Sequence, residues 1–443
     1  MATPINDFVK AYSESGTVRF HMPGHKGRSF HGMEAIDITE IKGADYLYDA
    51  QGIIGQSEAQ TAKAFGAART LYGAEGSSQC IKTMLGIIKM CSGSERVTVL
   101  APRNVHKAFI DACILLDIDV KWLYPEKPTA SVCCADISPQ QFEDALKKGG
   151  IDCCYVTSPD YLGNIADIKC ISQKCKAAGA ALIVDNAHGA YTAFLKENAH
   201  PIALGADMCC DSAHKTLPCY TGTAYLHISH SAPERYGEIA KNVMSMFGST
   251  SPSYLLLQSL DFCSDKLASG EFAAKLEETV RTVSECKEKL AEMGWELCGQ
   301  EKLKITLDAA KCGYMGNELA DLLREKRIEP EYSDAQFVVL MAGISNTQGD
   351  LDALAETLGE IPVKAPLTQE LPTIVPAERK MPMRQAAFQS YRTVSADDAL
   401  GKVCAMTVTA CQPSVPVVVS GEVISETIIK ILKRYSIFDV NVL

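Results

Sequence analysis

Apolar residues along this chain recur in two rhythms. Mainly apolar runs at 97–100 (VTVL), 151–156 (IDCCYV) and 181–184 (ALIV) lack the alternation of a half-exposed strand and predict strands buried on both faces. Between them the apolar positions return at helical spacing. Ser57 with Gln60 predicts a capping box before a helix over 59–73, closed by Gly73. Gly76-Ser77-Ser78-Gln79 opens a helix over 80–90, and Asn104 is the expected cap of one over 107–117. The stretch 167–179 predicts a capped helix with Ile168, Ile171, Cys175 and Ala178 on one face. Such alternation implies an α/β domain with a parallel sheet covered on both sides.

Two long helices, 253–268 and 271–294, lead into a second alternating region: strand 303–308, helix 317–326, strand 336–342 and helix 351–359. Five prolines between Pro362 and Pro382 mark a linker. The chain then reads as strand (415–420), helix (426–435) and a terminal strand. The expected organisation is an arm (1–28), a large domain (29–268), a small α/β domain (269–360), the linker (361–382) and a C-terminal domain (383–443).

Composition narrows the class. With 443 residues, 47% of them hydrophobic and 22% charged, the chain has the make-up of a soluble globular protein of more than one domain. A formal charge of −11 argues against nucleic acid or an anionic membrane as partner. No apolar run is long enough for a membrane helix and MATPINDFVK lacks a signal-peptide core, so a cytoplasmic location is expected. The eighteen cysteines fall in pairs or within apolar runs, with no CxxC, and are expected to be small buried hydrophobes in a reducing compartment. His21 and His25 are four apart, but Pro23 and Gly24 between them break any helix. No metal is expected.

The chemistry concentrates in 207–222, DMCCDSAHKTLPCYTG. Lys215 lies between two strand-like segments, flanked by Ser212 and His214. Upstream, the run 181–184 ends in Asp185, followed by Asn186-Ala187-His188-Gly189. An apolar strand ending in a carboxylate, then one ending in Ser-x-His-Lys, points to a site for pyridoxal 5'-phosphate. The lysine would anchor the cofactor's aldehyde, and the aspartate would keep the pyridine nitrogen protonated. A surface lysine and a loop aspartate are the plainer alternative for each residue alone. Ser77 and Ser78 suit a phosphate at a helix start, or a plain cap. His106 follows a strand end, where it could stack on a ring or simply sit in a polar turn.

Taken together, FHMPGHKGR, APRNVHK, LIVDNAHGA, DSAHKTL and STSPSYLLLQSLD resemble the ornithine/lysine/arginine decarboxylases, along nearly the whole chain and in the length of their short biosynthetic form. The resemblance implies PLP fold type I, aspartate aminotransferase-like: an α/β large domain with a mainly parallel seven-stranded sheet plus smaller C-terminal α/β domains. It implies that Lys215 anchors the cofactor, with Ser212 and His214 near the phosphate, and that Asp185 meets the pyridine nitrogen. Ala187 and His188 would lie against the ring, His106 on its opposite face, and Ser77 and Ser78 on the phosphate. Ser249 and Thr250 would reach a neighbour's cofactor, which implies a homodimer or a higher homo-oligomer.

Three segments depart from the family pattern. Asp45-Tyr46-Leu47-Tyr48-Asp49-Ala50 stands where Asp-Asp-Leu-His-His-Pro is usual. Gln412-Pro413-Ser414-Val415-Pro416 and Ser420-Gly421-Glu422 replace Pro-Pro-Gly-Ile-Pro and Pro-Gly-Glu. The expected reaction is loss of CO2 from a basic amino acid, whether arginine, lysine or ornithine. Glu40, Asp45, Asp49 and Glu422 are the candidate partners for its distal cation. An aminotransferase, or a PLP-binding protein without catalysis, are the alternatives.

Overall fold

The computed structural model describes residues 3–129, 131–368, 374–410 and 415–443; Gln412, Pro413 and Ser414 of the second departing segment lie outside them. The chain divides into two compact units, Met1–Gly93 with Ala181–Leu276, and Ser94–Ala180 with Glu277–Leu443. The large sheet has seven strands: β1 (Arg69–Gly73), β2 (Thr98–Pro102), β3 (Asp119–Leu123), β4 (Cys153–Thr157), β5 (Ala181–Asp185), β6 (Met208–Asp211) and β7 (Ala224–Ile228).

In the first unit the order is β1-β7-β6-β5. Strands β5 and β6 run parallel, pairing Asp185 with Cys210, while β7 is antiparallel to both β6 and β1. The sheet is therefore mostly, not wholly, parallel. Every residue of β6 and β7 is buried, as apolar runs without alternation require.

The helix preceding β1 differs from the expectation. It spans Ile53–Phe65 and ends where Gly66 adopts φ +67°, a left-handed cap conformation that costs a glycine nothing. Ser57 is thus interior rather than a cap, with its hydroxyl donating to Asp261 Oδ1 at 2.6 Å. Residues 69–73, expected to finish that helix, form β1 instead. The N-terminal arm contains a helix of its own, Pro4–Glu14.

The second unit holds β4-β2-β3, parallel throughout. The helix Lys107–Leu116 follows β2, and its cap is His106 rather than Asn104: the ring Nδ1 accepts the Ala108 N–H at 3.1 Å. Asn104 donates to the Cys133 carbonyl. Helix Ile168–Ala178 starts at Asp167 and ends at Gly179 as expected, although Ala178 is exposed. Strands β8 (Leu297–Cys298), β9 (Lys304–Asp308), β10 (Tyr332–Ser333) and β11 (Phe337–Met341) form an antiparallel sheet in the order β10-β11-β9-β8. Leu307, Leu319, Leu323, Val338, Leu354 and Leu358 share the core beside it. Near the C-terminus, helix Glu426–Arg434 is capped by Ser425 and buries Ile428, Ile431 and Leu432.

The described cysteines are free, and most are buried. Among the described residues no helix is long and apolar enough to cross a membrane.

Candidate active site

The first unit gathers most of the expected site residues at the ends of β5 and β6. Asp185, the last residue of β5, is 2% exposed. Its Oδ1 accepts the Ala187 N–H at 3.2 Å and lies 3.6 Å from the Cys210 thiol. Ala187 and His188 follow in a tight turn, closed by the Gly189 N–H on the Asn186 carbonyl. Strand β6 ends at Asp211, and Ser212 starts a single helical turn, Ala213–Thr216, that carries Lys215. Lys215 Nζ lies 2.9 Å from His188 Nε2, so the turns after β5 and β6 meet at an amine and an imidazole.

The hydroxyls converge on the same region. Ser212 Oγ donates to Ser77 Oγ at 2.8 Å. Ser77 and Ser78 lie in the first turn of helix Gly76–Cys91, where backbone N–H groups lack intrahelical acceptors and the helix dipole is positive. Gly76 has φ +67° and donates its N–H to the Gly222 carbonyl, tying the helix start to the loop before β7. His214 bonds the Thr223 carbonyl through Nδ1 at 2.8 Å. Ser249 and Thr250 are exposed, and the Ser249 N–H donates to Glu75, the residue before that helix.

This donor set fits pyridoxal phosphate. An amine with an adjacent imidazole, a buried carboxylate at a strand end, and serine hydroxyls at the start of a 16-residue helix belong to one unit. The first matches an aldehyde, the second a pyridine nitrogen, the third a phosphate. His106 belongs to the second unit, where it caps the helix after β2.

The four acids considered for the substrate cation differ in availability. Glu422 is engaged by Arg103 through two bonds of 2.9 and 2.7 Å, with both side chains under 5% exposed. Asp45 accepts N–H groups from Tyr46, Gln51, Gly52, Ile54 and Gly55, which makes it a turn clamp. Asp49 accepts from Gln51 at an exposed position. Glu40 takes the Thr39 hydroxyl on Oε2, while its Oε1 is buried without a hydrogen-bond partner.

Sequence reasoning missed Arg103 and the group around Asp211. Arg103 was open to notice as a full charge beside a buried strand end. Asp211 stands next to Ser212 in the motif itself, but its partners His200 and His227 come from positions with no sequence signal linking them.

Comparison with known proteins places this geometry. Residues 3–309 match the family described as Orn/Lys/Arg decarboxylase, major domain. The chain is 28% identical over 459 residues to an arginine decarboxylase of Bacillus subtilis (strain 168), covering 96% of this chain and 91% of that protein. The fold is shared with the lysine decarboxylase LdcF of Francisella novicida, at TM-score 0.82 and 16% identity over 100% of this chain and 81% of that one. It is shared too with the constitutive lysine decarboxylase of E. coli, at TM-score 0.80 and 17% identity over 100% and 82%. The chain belongs to the Orn/Lys/Arg decarboxylase family and is a PLP-dependent decarboxylase of a basic amino acid.

Proposed function

We propose that the substrate is arginine and that Lys215, His188, Asp185 and the serine hydroxyls carry the reaction in a homodimer. The observation behind the choice of substrate is the relationship, over 96% of this chain, to the Bacillus subtilis arginine decarboxylase. A guanidinium requires a carboxylate with acceptor capacity to spare. Glu40 meets that need best, since its buried Oε1 accepts no hydrogen bond whereas Glu422 and Asp45 are already engaged.

Pyridoxal phosphate, when bound, supplies the electron sink for the pair left behind as CO2 departs. Lys215 anchors it, and His188 Nε2, 2.9 Å from Lys215 Nζ, is placed to take a proton from that amine and return it. Asp185 would meet the pyridine nitrogen and favour its protonated form. Ser77, Ser78 and Ser212 offer hydroxyls to the phosphate, while His214 braces the Lys215 turn through the Thr223 carbonyl. Ala187 would lie beside the cofactor's ring, and the role of His106 as a ring contact rests on its APRNVHK motif alone. Ser249 and Thr250 complete the neighbouring subunit's phosphate site, for which their exposure leaves them available. Free buried thiols suit a cytoplasmic enzyme supplying the amine for polyamine biosynthesis.

The test is CO2 release from arginine, lysine and ornithine side by side, with glutamate as control. Arginine should give the highest kcat/KM, and Glu40→Gln should lower it mainly through KM. Preference for lysine or ornithine would refute the substrate, and release from glutamate alone would refute the basic class.

A further inference from the structure

A chain of buried polar groups crosses the four strands of the first unit. Thr70 on β1 lies 2.8 Å from His227 Nδ1 on β7. His227 Nε2 reaches Asp211 Oδ2 on β6 at 3.2 Å, and His200 Nε2 reaches the same oxygen at 3.0 Å. Asn186, the residue after β5, donates its amide to Asp211 Oδ1 at 2.7 Å. Asp211, His200 and His227 have no exposed surface, and Asn186 and Thr70 are 1% and 3% exposed.

His200, Cys209 and Asp211 have the spacing of metal ligands, yet the hydrogen bonds assign the group otherwise. The Ile202 N–H donates to His200 Nδ1 at 3.4 Å, so that nitrogen is bare and Nε2 carries the proton towards Asp211. A protonated ring nitrogen has no lone pair for a cation, and burial pushes the Cys209 thiol up, away from the thiolate a metal requires. Burial also penalises the Asp211 carboxylate, but His200 and His227 outweigh it and hold the group well below the usual carboxylate range. The thiols of Cys80, Cys209 and Cys210 are the other titratable groups that feel this charge, and Asp185 acts on the same three.

The anion thus sits between the two catalytic strand ends. Asn186 is the neighbour of Asp185; Asp211 immediately precedes Ser212, which begins the Lys215 turn. We propose that Asp211 is a positioning residue: it holds the Asp185 and Lys215 turns in register through Asn186 and keeps a carboxylate behind the cofactor-binding groups. The inference rests on the reading that Lys215 and Asp185 hold the cofactor.

Two variants separate position from charge. Asn186→Ala cuts the tie and leaves the carboxylate. Asp211→Asn removes the charge, and rotation of the Asn186 amide preserves the hydrogen bonds. The holoenzyme of each is measured for cofactor fixed on Lys215 by borohydride, for the pH midpoint of the cofactor's visible band, and for kcat and KM. Both should retain the cofactor on Lys215. Asn186→Ala should lose kcat by about tenfold or more with KM nearly unchanged, as slight misplacement of reacting groups does. Asp211→Asn should move the midpoint to lower pH, because an anion favours a nearby cation. If Asp211→Asn fails to fold, Asn186→Ala and His227→Gln carry the test. Wild-type kcat and midpoint in the folded variants, with only a lower melting temperature, would overturn the proposal. A Lys215→Ala protein that keeps the reducible cofactor would overturn the anchor assignment and this inference with it.

Discussion

Asp211 and Glu422 are carboxylates almost sealed from water, one in each unit, and the fold treats them differently. Glu422 is neutralised. Arg103 grips both its oxygens, the Val419 N–H adds a bond at 2.9 Å, and the Trp122 ring lies 4.8 Å from the guanidinium. Asp211 is met by two imidazole rings and an amide, which hold its carboxyl well below the usual carboxylate range although burial opposes them. An ion pair joins two chain segments 319 residues apart, and its two charges act in opposite directions on Tyr124 and Cys404. The first arrangement serves anchoring; the second is the one proposed above to serve chemistry.

The largest effect should come from splitting the ion pair. Glu422→Ala leaves Arg103 buried and unpaired, which costs about 3–5 kcal/mol of stability. Replacing both residues, Arg103→Met with Glu422→Leu, should recover most of that loss in urea unfolding. A double variant no more stable than Glu422→Ala would show that the charges do more than anchor.

A second effect falls on catalysis alone. Asp185→Asn should retain pyridoxal phosphate yet lose kcat by about 10²–10³-fold, roughly 3–4 kcal/mol in the barrier, a size usual for a preorganised electrostatic contact. Near-normal turnover would remove Asp185 from the mechanism.

The smallest concerns acid. Burial pushes the His227 imidazole below its ordinary value of 6.5, the bond to Asp211 only partly opposing. Below that value the unfolded chain binds a proton that the folded one refuses, so stability falls as pH drops, at most about 1.4 kcal/mol per pH unit from this group. Asp211 contributes nothing in that window. Its folded value is depressed, so its contribution is lost only as pH falls from the ordinary carboxylate range through the folded value. His227→Gln should therefore flatten the stability profile just below pH 6.5, and an unchanged slope would rule out His227 as its source.

How much of this was legible in the sequence depended on how local each feature is. Strands β5 and β6 could be read because burial on both faces leaves an apolar run, and Asp185 and Lys215 stand out where such runs end. Strand direction could not, since a run buried on both faces looks the same either way; hence the antiparallel β7 went unforeseen. Gly66 falls inside the helix expected over 59–73, and its positive φ shows that the helix stops there and β1 follows. Asparagine is the commoner capping residue, so the sequence favours Asn104 where the structure uses His106. The network around Asp211 depends on which strands lie side by side. No local pattern encodes that order.

The central claim is that Lys215 carries the cofactor, and one measurement addresses it directly. Holoenzyme reduced with borohydride and digested should yield a single cofactor-labelled peptide, modified at Lys215, and Lys215→Ala should yield none while keeping the native circular dichroism. A label on any other lysine would contradict the account.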